Sequence, residues 1–245
     1  MKYSLNPSSD NCYEGTTCLV NKFDIRDENK LSEIEAKITF AKTAMLDDAP
    51  IEGIFDFEHY KKIHKFLFCE LYDWAGQIRT VNISKKRTSF TDFKQIESVA
   101  IACFDKIPNG YLENLTFDEF AYRIAELYND INHIHPFREG NGRVERVFFT
   151  QLIREHGYDI NFSEIDTDEL MAATIYAAGG VMDLLIDFFK EAITDPNTDF
   201  NMTMCSKATL RLRVAFYLSS AMQFLRLHRQ KSLVMPLSID VSFFT

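Results

Sequence analysis

Two consecutive helical patterns, separated by a short loop that contains two glycines, constrain the fold of this 245-residue chain more than any other feature. The first pattern begins at Thr116, an N-cap candidate that has Glu119 in the capping-box position. Its apolar side chains recur at helical spacing and are Phe120, Ile124, Leu127, Ile131 and Ile134. The pattern stops at Pro136, which cannot continue a helix without breaking its hydrogen bonds.

The second pattern begins near Asn141 and ends at Gly157, a residue type that often terminates helices. Its inward positions are Val144, Val147, Phe148, Leu152 and Ile153. Because each helix must bury its apolar stripe against another element, the loop between them is predicted to have buried flanks.

Most of the remaining chain also predicts helices, so the fold class is mainly α. Residues 31–45 and 57–71 are amphipathic, and residues 168–193 continue as helix, where Gly179 and Gly180 allow a kink. Turn-forming residues at 194–198 mark a boundary. We predict one domain over residues 1–194, with its core at about 54–193 and an N-terminal helical segment, and a basic helical extension over residues 195–245.

One segment departs from the helical pattern. Between Arg79 and Phe90, Val81 and Ile83 alternate with Asn82 and Ser84, and alternation resumes at Thr88 and Phe90. This is the period of a strand, and the segment predicts a small β-hairpin. A lone hairpin is marginal in water, so we expect it to lean on the helices and to leave one edge open to another strand.

Composition excludes several classes of protein. The chain is 46% hydrophobic and 26% charged, which is typical of a globular domain, and no apolar run is long enough for a membrane span. The N-terminus lacks the apolar core of a signal peptide, and the five scattered cysteines predict free thiols in a reducing compartment. We therefore expect a cytoplasmic protein, or one delivered into another cell by a route without a classical signal peptide.

The net charge of −9 is distributed unevenly along the chain. Residues 200–245 carry +5, so the preceding residues carry −14. An acidic body argues against direct binding of nucleic acid, whose phosphates dominate the affinity of proteins that bind it.

The glycine loop itself predicts a phosphate site. A helix that starts at Gly140, Asn141 and Gly142 presents unpaired N–H groups at its positive end, and glycine lets an anion approach them. Arg143 and Arg146 lie three residues apart, hence on one helical face, and guanidinium groups suit phosphate oxygens.

Two further side chains in this stretch complete a reactive site. Glu139 is a ligand type that holds Mg²⁺ beside phosphates, and His135 is a base that accepts a proton near neutral pH. Together they predict transfer of a nucleotide or a phosphoryl group. The other five histidines, among them His64 and His133, predict ordinary hydrogen bonding only.

Residues 135–146, HPFREGNGRVER, resemble the signature of the Fic family, H-x-F-x-[DE]-G-N-G-R-x-x-R, at every fixed position. The resemblance extends outward through F55-D-F-E-H-Y60 and L71-Y-D-W-A-G-Q-I-R79 and covers roughly residues 20–193. It implies a Fic-type helical bundle with a small β-hairpin flap.

The resemblance also implies a role for each residue of the motif. His135 removes a proton from a Ser, Thr or Tyr hydroxyl of a target protein, which then attacks the α-phosphate of ATP. Glu139 coordinates Mg²⁺, while the phosphates are bound by Gly140, Asn141, Gly142, Arg143 and Arg146. AMP ends on the target, or on the chain itself. The flap that aligns the target by strand pairing comprises Val81, Asn82, Ile83, Ser84, Thr88 and Phe90.

Alternatives within and outside this family remain open at this point. Members that use ATP as a phosphoryl donor carry Lys where this chain has Gly142, and phosphocholine-transferring members depart from the glycine at Gly140. Neither departure is present, so AMP transfer is favoured over another donor or AMP removal. An alternative from another class is an interaction module that binds nucleotide without chemistry.

Regulation is the last expectation drawn from the resemblance. Many Fic proteins are inhibited by a helix with [ST]-x-x-x-E-[GN], whose glutamate pairs with the second arginine of the motif, here Arg146. Incomplete copies end at Glu14-Gly15 and Glu52-Gly53, and Ser242 begins a copy that the chain end cuts short. We therefore expect no working self-inhibition, or inhibition by a separate small antitoxin-like protein.

Overall fold

The computed structural model describes residues 11–85 and 88–195, and within them the fold is mainly α, as predicted. Its helices are α1 (Glu28–Asp48), α2 (Phe57–Phe68), α3 (Ile96–Phe104), α4 (Phe117–Ile134), α5 (Asn141–Glu155), α6 (Thr167–Ala178) and α7 (Asp183–Ala192). Four short strands accompany them: β1 (Ser84–Lys85), β2 (Thr88–Ser89), β3 (Asp159–Ile160) and β4 (Ile193–Thr194). None of the helices in the described part of the chain is long and apolar enough to cross a membrane.

Helix α4 confirms the prediction most fully. The Thr116 hydroxyl accepts a hydrogen bond from the Glu119 amide, and the Glu119 carboxylate accepts one from the Thr116 amide at 2.9 Å, which completes the capping box. The five predicted apolar positions are all buried. The capping box therefore marks where the helix begins, and the apolar stripe marks the face that is buried.

The core lies where α4 and α5 meet α2 and α7. Aromatic rings fill it: Phe148 of α5 makes edge contacts with Tyr60 of α2 at 5.2 Å and with Phe104 of α3 at 5.4 Å between ring centroids. Phe137, in the loop between α4 and α5, stacks on Tyr60 and is fully buried. The motif loop is therefore anchored in the core by its own side chain.

Several boundaries differ from the sequence-based expectations. The predicted helix over 168–193 is two helices, because Gly180 adopts φ +89° and the backbone turns between α6 and α7. Helix α2 ends at Phe68 rather than near Leu71. Helix α3 and the β3–β4 pair were not predicted; the pair joins two dipeptides that lie far apart in sequence.

The predicted hairpin is present but shorter than the segment between Arg79 and Phe90 that predicted it. Its ladder pairs Ser84 with Ser89 and Lys85 with Thr88. Val81, Asn82, Ile83 and Phe90 lie outside the strands. The base of the hairpin is held by bonds to the end of α4 and the loop after it, since the Thr91 amide donates to the His133 carbonyl and the Arg79 amide donates to the Pro136 carbonyl.

The remaining expectations concern the cysteines and the C-terminal residues, and only some of these residues lie in the described part of the chain. Cys12, Cys18, Cys69 and Cys103 are free thiols, as predicted, while Cys205 lies outside the described residues. The basic extension, apart from Asp195, and the Ser242 segment also lie outside them. The domain boundary at residues 194 and 195 stays a prediction.

Candidate active site

The predicted motif residues lie in the loop between α4 and α5 and in the first two turns of α5. His135 ends α4 in a left-handed conformation, φ 47° and ψ 60°, which turns the chain sharply out of the helix. Asn141 braces the same loop, since its side chain accepts a bond from the Phe137 amide and donates one to the Phe137 carbonyl, each at 2.8 Å. The loop is therefore fixed by a buried amide and a buried ring.

His135 is held as a neutral base. Its Nδ1 lies 2.9 Å from the carbonyl oxygen of Asn132, and because a carbonyl can only accept, Nδ1 carries the proton. Nε2 is then the nitrogen with the lone pair. Burial lowers the pKa of His135 to about 3, and the positive charge of Lys85 contributes to the decrease. The imidazole is therefore uncharged at neutral pH.

The flap packs directly on this imidazole. The ring of Phe90 stacks on His135 with centroids 3.8 Å apart and an angle of 8° between the planes. Of the other predicted flap residues, Ile83 has a buried side chain. The Asn82 side chain bonds Asp92 and the Phe93 amide, which ties the base of the flap together.

Glu139 lies at the turn into α5. Its Oε1 accepts bonds from the Gly140 amide at 2.9 Å and from Arg143 at 3.3 Å, and its Oε2 has no hydrogen-bond partner among the described residues. Burial and the nearby charge of Glu35 raise the pKa of this carboxyl, while Arg143 and the Gly140 amide oppose the increase.

The N-terminus of α5 has the geometry of an anion site. Gly140 is the N-cap at φ 83°, and it has no side chain to cap the helix. The amides of Arg143 and Val144 donate to the Gly140 carbonyl, at 3.0 and 3.1 Å. The amides of Asn141 and Gly142 have no partner in the described chain, so two N–H groups at the positive end of the helix are available to an anion.

The two motif arginines have different surroundings, although the sequence placed them on one face. Arg143 reaches α1, where it forms an ion pair with Glu35 at 2.5 Å. Arg146 folds back over the start of α5, with Nη1 3.6 Å from the point where a side chain on Gly142 would begin. Arg146 has no ion pair within the residues that the structure describes.

Sequence reasoning missed Arg79, which joins the flap to α4. Its Nε donates to the His135 carbonyl at 2.9 Å, and its other nitrogens donate to the carbonyls of Val81, Thr91 and Ile134. Its own amide donates to Pro136. Arg79 is 3% exposed, and the only mark of it in the sequence is its place at the end of the 71–79 segment that resembles the Fic family.

His64 was predicted to be an ordinary histidine, and the structure gives it a specific place. Its Nδ1 accepts the Gly76 amide at 2.8 Å, so its Nε2 carries the proton and donates to the Glu139 carbonyl at 3.1 Å. The ring stacks on Phe137 at 3.9 Å. Burial lowers its pKa to about 3, which keeps it neutral. It thereby fixes the backbone that presents Glu139.

The glutamates of the two incomplete inhibitory segments within the described chain do not pair with Arg146, although Cys12 of the first segment accepts a bond from Arg138 of the motif loop at 3.4 Å. Glu14 and Glu52 are both exposed and lie outside the described helices. Neither forms an ion pair with Arg146 within the described residues.

Comparison with known proteins places this loop in a family. Residues 54–153 match the model of the Fic/DOC family. The chain is 35% identical to the protein adenylyltransferase VbhT of Bartonella schoenbuchensis over 74% of its own length and 38% of that protein. It is 31% identical to the probable protein adenylyltransferase Fic of Escherichia coli K12, over 75% of its length and 91% of the relative.

Solved structures agree with the sequence relatives. The BepC protein of Bartonella tribocorum, crystallised with AMPPNP, matches with a TM-score of 0.71 and 28% identity over 76% of this chain and 97% of that one. An ADP-bound Fic domain from Bartonella quintana matches with a TM-score of 0.70 and 27% identity over 76% of this chain and 95% of that one.

The relatives that share this fold and motif loop are named as protein adenylyltransferases or probable protein adenylyltransferases. The resemblance seen in the sequence is thereby confirmed: the chain belongs to the Fic/DOC family.

Proposed function

We propose that the chain transfers AMP from ATP to a Ser, Thr or Tyr hydroxyl of a target protein. The hydroxyl proton moves to Nε2 of His135 as the hydroxyl oxygen attacks the α-phosphorus; the bond from that phosphorus to the bridging oxygen breaks, and pyrophosphate leaves. The observation that carries the proposal is the fixed tautomer of His135, whose Nδ1 is bonded to Asn132 at 2.9 Å and whose Nε2 keeps the lone pair.

The phosphates are assigned to the start of α5. The amides of Asn141 and Gly142, together with the positive end of the helix, supply donors without a flexible side chain. Arg146 adds a positive charge that no carboxylate in the described residues pairs with at close range. These groups stabilise the negative charge of the leaving pyrophosphate.

Glu139 is the residue that would hold Mg²⁺. The fit rests on its donor set, since Oε1 is fixed by Gly140 and Arg143 while Oε2 is left without a partner among the described residues. A hard carboxylate oxygen beside bound phosphates suits this ion. When bound, Mg²⁺ would neutralise phosphate charge.

We assign the binding of the target protein to the flap. Its open edge would pair with an extended target segment, and the Phe90 ring on His135 would set where the hydroxyl arrives. We place the reaction in the cytoplasm of the producing cell or of a recipient cell, where ATP is abundant and thiols such as Cys12 and Cys69 stay reduced.

Inhibition is assigned to a separate small protein that presents a glutamate to Arg146. Replacing Glu14 or Glu52 by Gln should then leave the activity of the purified chain unchanged. A marked rise in activity on either change would argue for inhibition within the chain.

The decisive experiment separates the donors by label. The purified chain is incubated with Mg²⁺ and ATP labelled at the α- or the γ-phosphate, and incorporation into the chain itself and into lysate proteins is measured. We expect label from the α-phosphate only, lost in His135→Ala. His133→Ala is the matched control, since His133 is exposed and lies two residues away.

The other outcomes decide among the alternatives. Incorporation of γ-label would indicate phosphoryl transfer. Binding of ATP without any incorporation, in the presence of diverse candidate targets, would favour a module that binds nucleotide without chemistry.

A further inference from the structure

A carboxylate outside the motif lies close to its first arginine. Glu35 belongs to α1, which precedes the residues matched by the family model, and it points inward from the same face as Leu31 and Ile38. Its side chain is 11% exposed. A carboxylate in such a position is costly unless it is paired, and its partners therefore matter.

Both oxygens of Glu35 are engaged. Oε1 accepts from Nη2 of Arg143 at 2.5 Å, and Oε2 accepts from the hydroxyl of Tyr72. Thr39, one turn further along α1, accepts from Nη1 of Arg143 at 3.3 Å. The two terminal nitrogens of Arg143 are thus held by the same helix.

Arg143 also reaches the residue that would hold the metal. Its Nη2 lies 3.3 Å from Oε1 of Glu139, and the guanidinium lies 4.8 Å from the centre of the Phe68 ring. Arg143 therefore contacts a carboxylate of α1 and a carboxylate of the motif loop at the same time.

The charge of this cluster differs from that around Arg146. Two carboxylates and one guanidinium sum to a single negative charge, which favours a nearby cation over a phosphate. Arg146 has no carboxylate at ion-pairing distance within the described residues, and the carboxyl of Glu145 interacts with its charge only from a longer distance.

We propose that Glu35 is a positioning residue: it holds Arg143 so that Arg143 orients Glu139 for a divalent cation, while Arg146 carries the side-chain contact with phosphate. The inference rests on the proposed function, because it gives Glu139 a metal to hold. It assigns the two motif arginines different tasks.

The test measures binding rather than turnover. In a His135→Ala background, ATP affinity is determined by calorimetry once with excess EDTA and once with Mg²⁺, and the ratio of the two affinities is the metal effect. We expect Glu35→Gln to reduce this ratio about tenfold, the scale on which residues that orient a metal ligand act, and to leave the affinity in EDTA within about twofold.

Three further variants complete the design. Glu33→Gln is the matched control on the same helix, since Glu33 is exposed and forms an ion pair with Lys37, away from Arg143; it should match the parent. Tyr72→Phe removes only the hydroxyl that binds Glu35, and it should reduce the ratio in the same direction, which keeps the test available if Glu35→Gln does not fold. Arg146→Gln should weaken ATP binding in EDTA, whereas Arg143→Gln should not.

The contrary outcomes are distinct. Tighter ATP binding in EDTA on Glu35→Gln would mean that Glu35 competes with phosphate for Arg143, and it would overturn the inference. An unchanged metal effect in Glu35→Gln and Tyr72→Phe would overturn it as well, while the proposed function stands. If the His135→Ala parent binds no ATP, or if Mg²⁺ does not change its ATP affinity, the assigned role of Glu139 is overturned and the inference with it.

Discussion

At the scale of single residues, His135 combines two tasks that constrain each other. It ends α4 in a left-handed conformation, φ 47°, which few side chains adopt without cost, and it is the proposed base. The carbonyl of Asn132 in the last turn of α4 fixes its tautomer. The way the helix ends therefore determines which nitrogen can react.

The protonation of His135 predicts a pH dependence of stability. Its pKa in the folded chain is about 3, below the ordinary 6.5, so the unfolded chain binds more protons between these values. The free energy of unfolding is therefore not reduced by this histidine above pH 6.5, and it decreases as the pH falls below that value. Below pH 6, the wild type should lose stability relative to His135→Asn by up to about 1.4 kcal/mol per pH unit.

Urea unfolding of both proteins between pH 7 and pH 4.5 measures this difference. Asparagine is the appropriate comparison because it tolerates the left-handed conformation and does not titrate. Parallel curves would contradict the assignment of a buried neutral imidazole.

Gly140 gives a second prediction at this scale. A side chain there would overlap the ring of Phe68, and the residue has φ +83°. Gly157 has nearly the same φ, +86°, with nothing within 4 Å of the added atom. Gly157→Ala should cost about 1 kcal/mol from the backbone alone, and Gly140→Ala about 2–4 kcal/mol, because overpacking adds to it.

Urea unfolding of the two variants isolates the steric part, since the backbone cost is shared. Equal losses of stability would indicate that Phe68 moves aside. Gly140→Ala should also abolish AMP transfer, whereas Gly157→Ala should retain it.

At the scale of elements, α4 and α5 were the most predictable parts of the fold. Apolar spacing, a capping box at Thr116 and a terminal Gly157 all agree along the sequence, and the helix bounds follow. The residues brought together by the loop could also be predicted, because they are adjacent in sequence.

The features that could not be predicted depend on contacts between residues that lie far apart in the sequence. Glu35 lies 108 residues before Arg143, and His64 lies 75 residues before Glu139. Both occupy buried positions on apolar helical faces. A polar residue at such a position is unusual, but the sequence does not indicate which residues it contacts. Helix α3 lacks a clear polar side, and the β3–β4 pair has too few residues to show a period.

Arg79 predicts how the flap depends on α4. It donates to carbonyls at the end of α4 and at both ends of the flap, so its loss should release the hairpin while leaving the helices intact. In Arg79→Met, hydrogen exchange of residues 80–92 should accelerate at least about tenfold. Transfer to a target protein should fall much more than ATP affinity does.

Lys85→Met is the control, because it removes a cation from the hairpin itself without touching the bonds to α4. Unchanged exchange in Arg79→Met would show that the hairpin is held by Asn82 and its neighbours instead.

At the scale of the whole molecule, a single core joins both ends of the described chain. Its buried side chains run from Cys18 to Ile193, and β4 pairs with β3 directly before Asp195. The proposed enzyme therefore needs the helices from α1 to α7 as one unit.

Truncation tests the predicted domain boundary. A chain that ends at Asp195 should fold and keep AMP transfer within about twofold, because it retains every core residue of the described part. A chain that ends at Ala178 should fail to fold, since it loses Phe189, which contacts both Tyr128 and Phe149. Thermal unfolding followed by circular dichroism distinguishes the two. Loss of folding in the longer truncation would place the boundary further on.

The position of Trp74 has an optical consequence. It is the only tryptophan in the chain, and its ring stacks on Tyr72 at 4.4 Å and lies 5.9 Å from the ring of His64. His64 donates to the carbonyl of Glu139, and Tyr72 donates to Glu35, which pairs with Arg143. Intrinsic fluorescence excited at the indole band therefore originates from one reporter beside the site, and a titration with unlabelled nucleotide can be followed by its emission without attaching a dye.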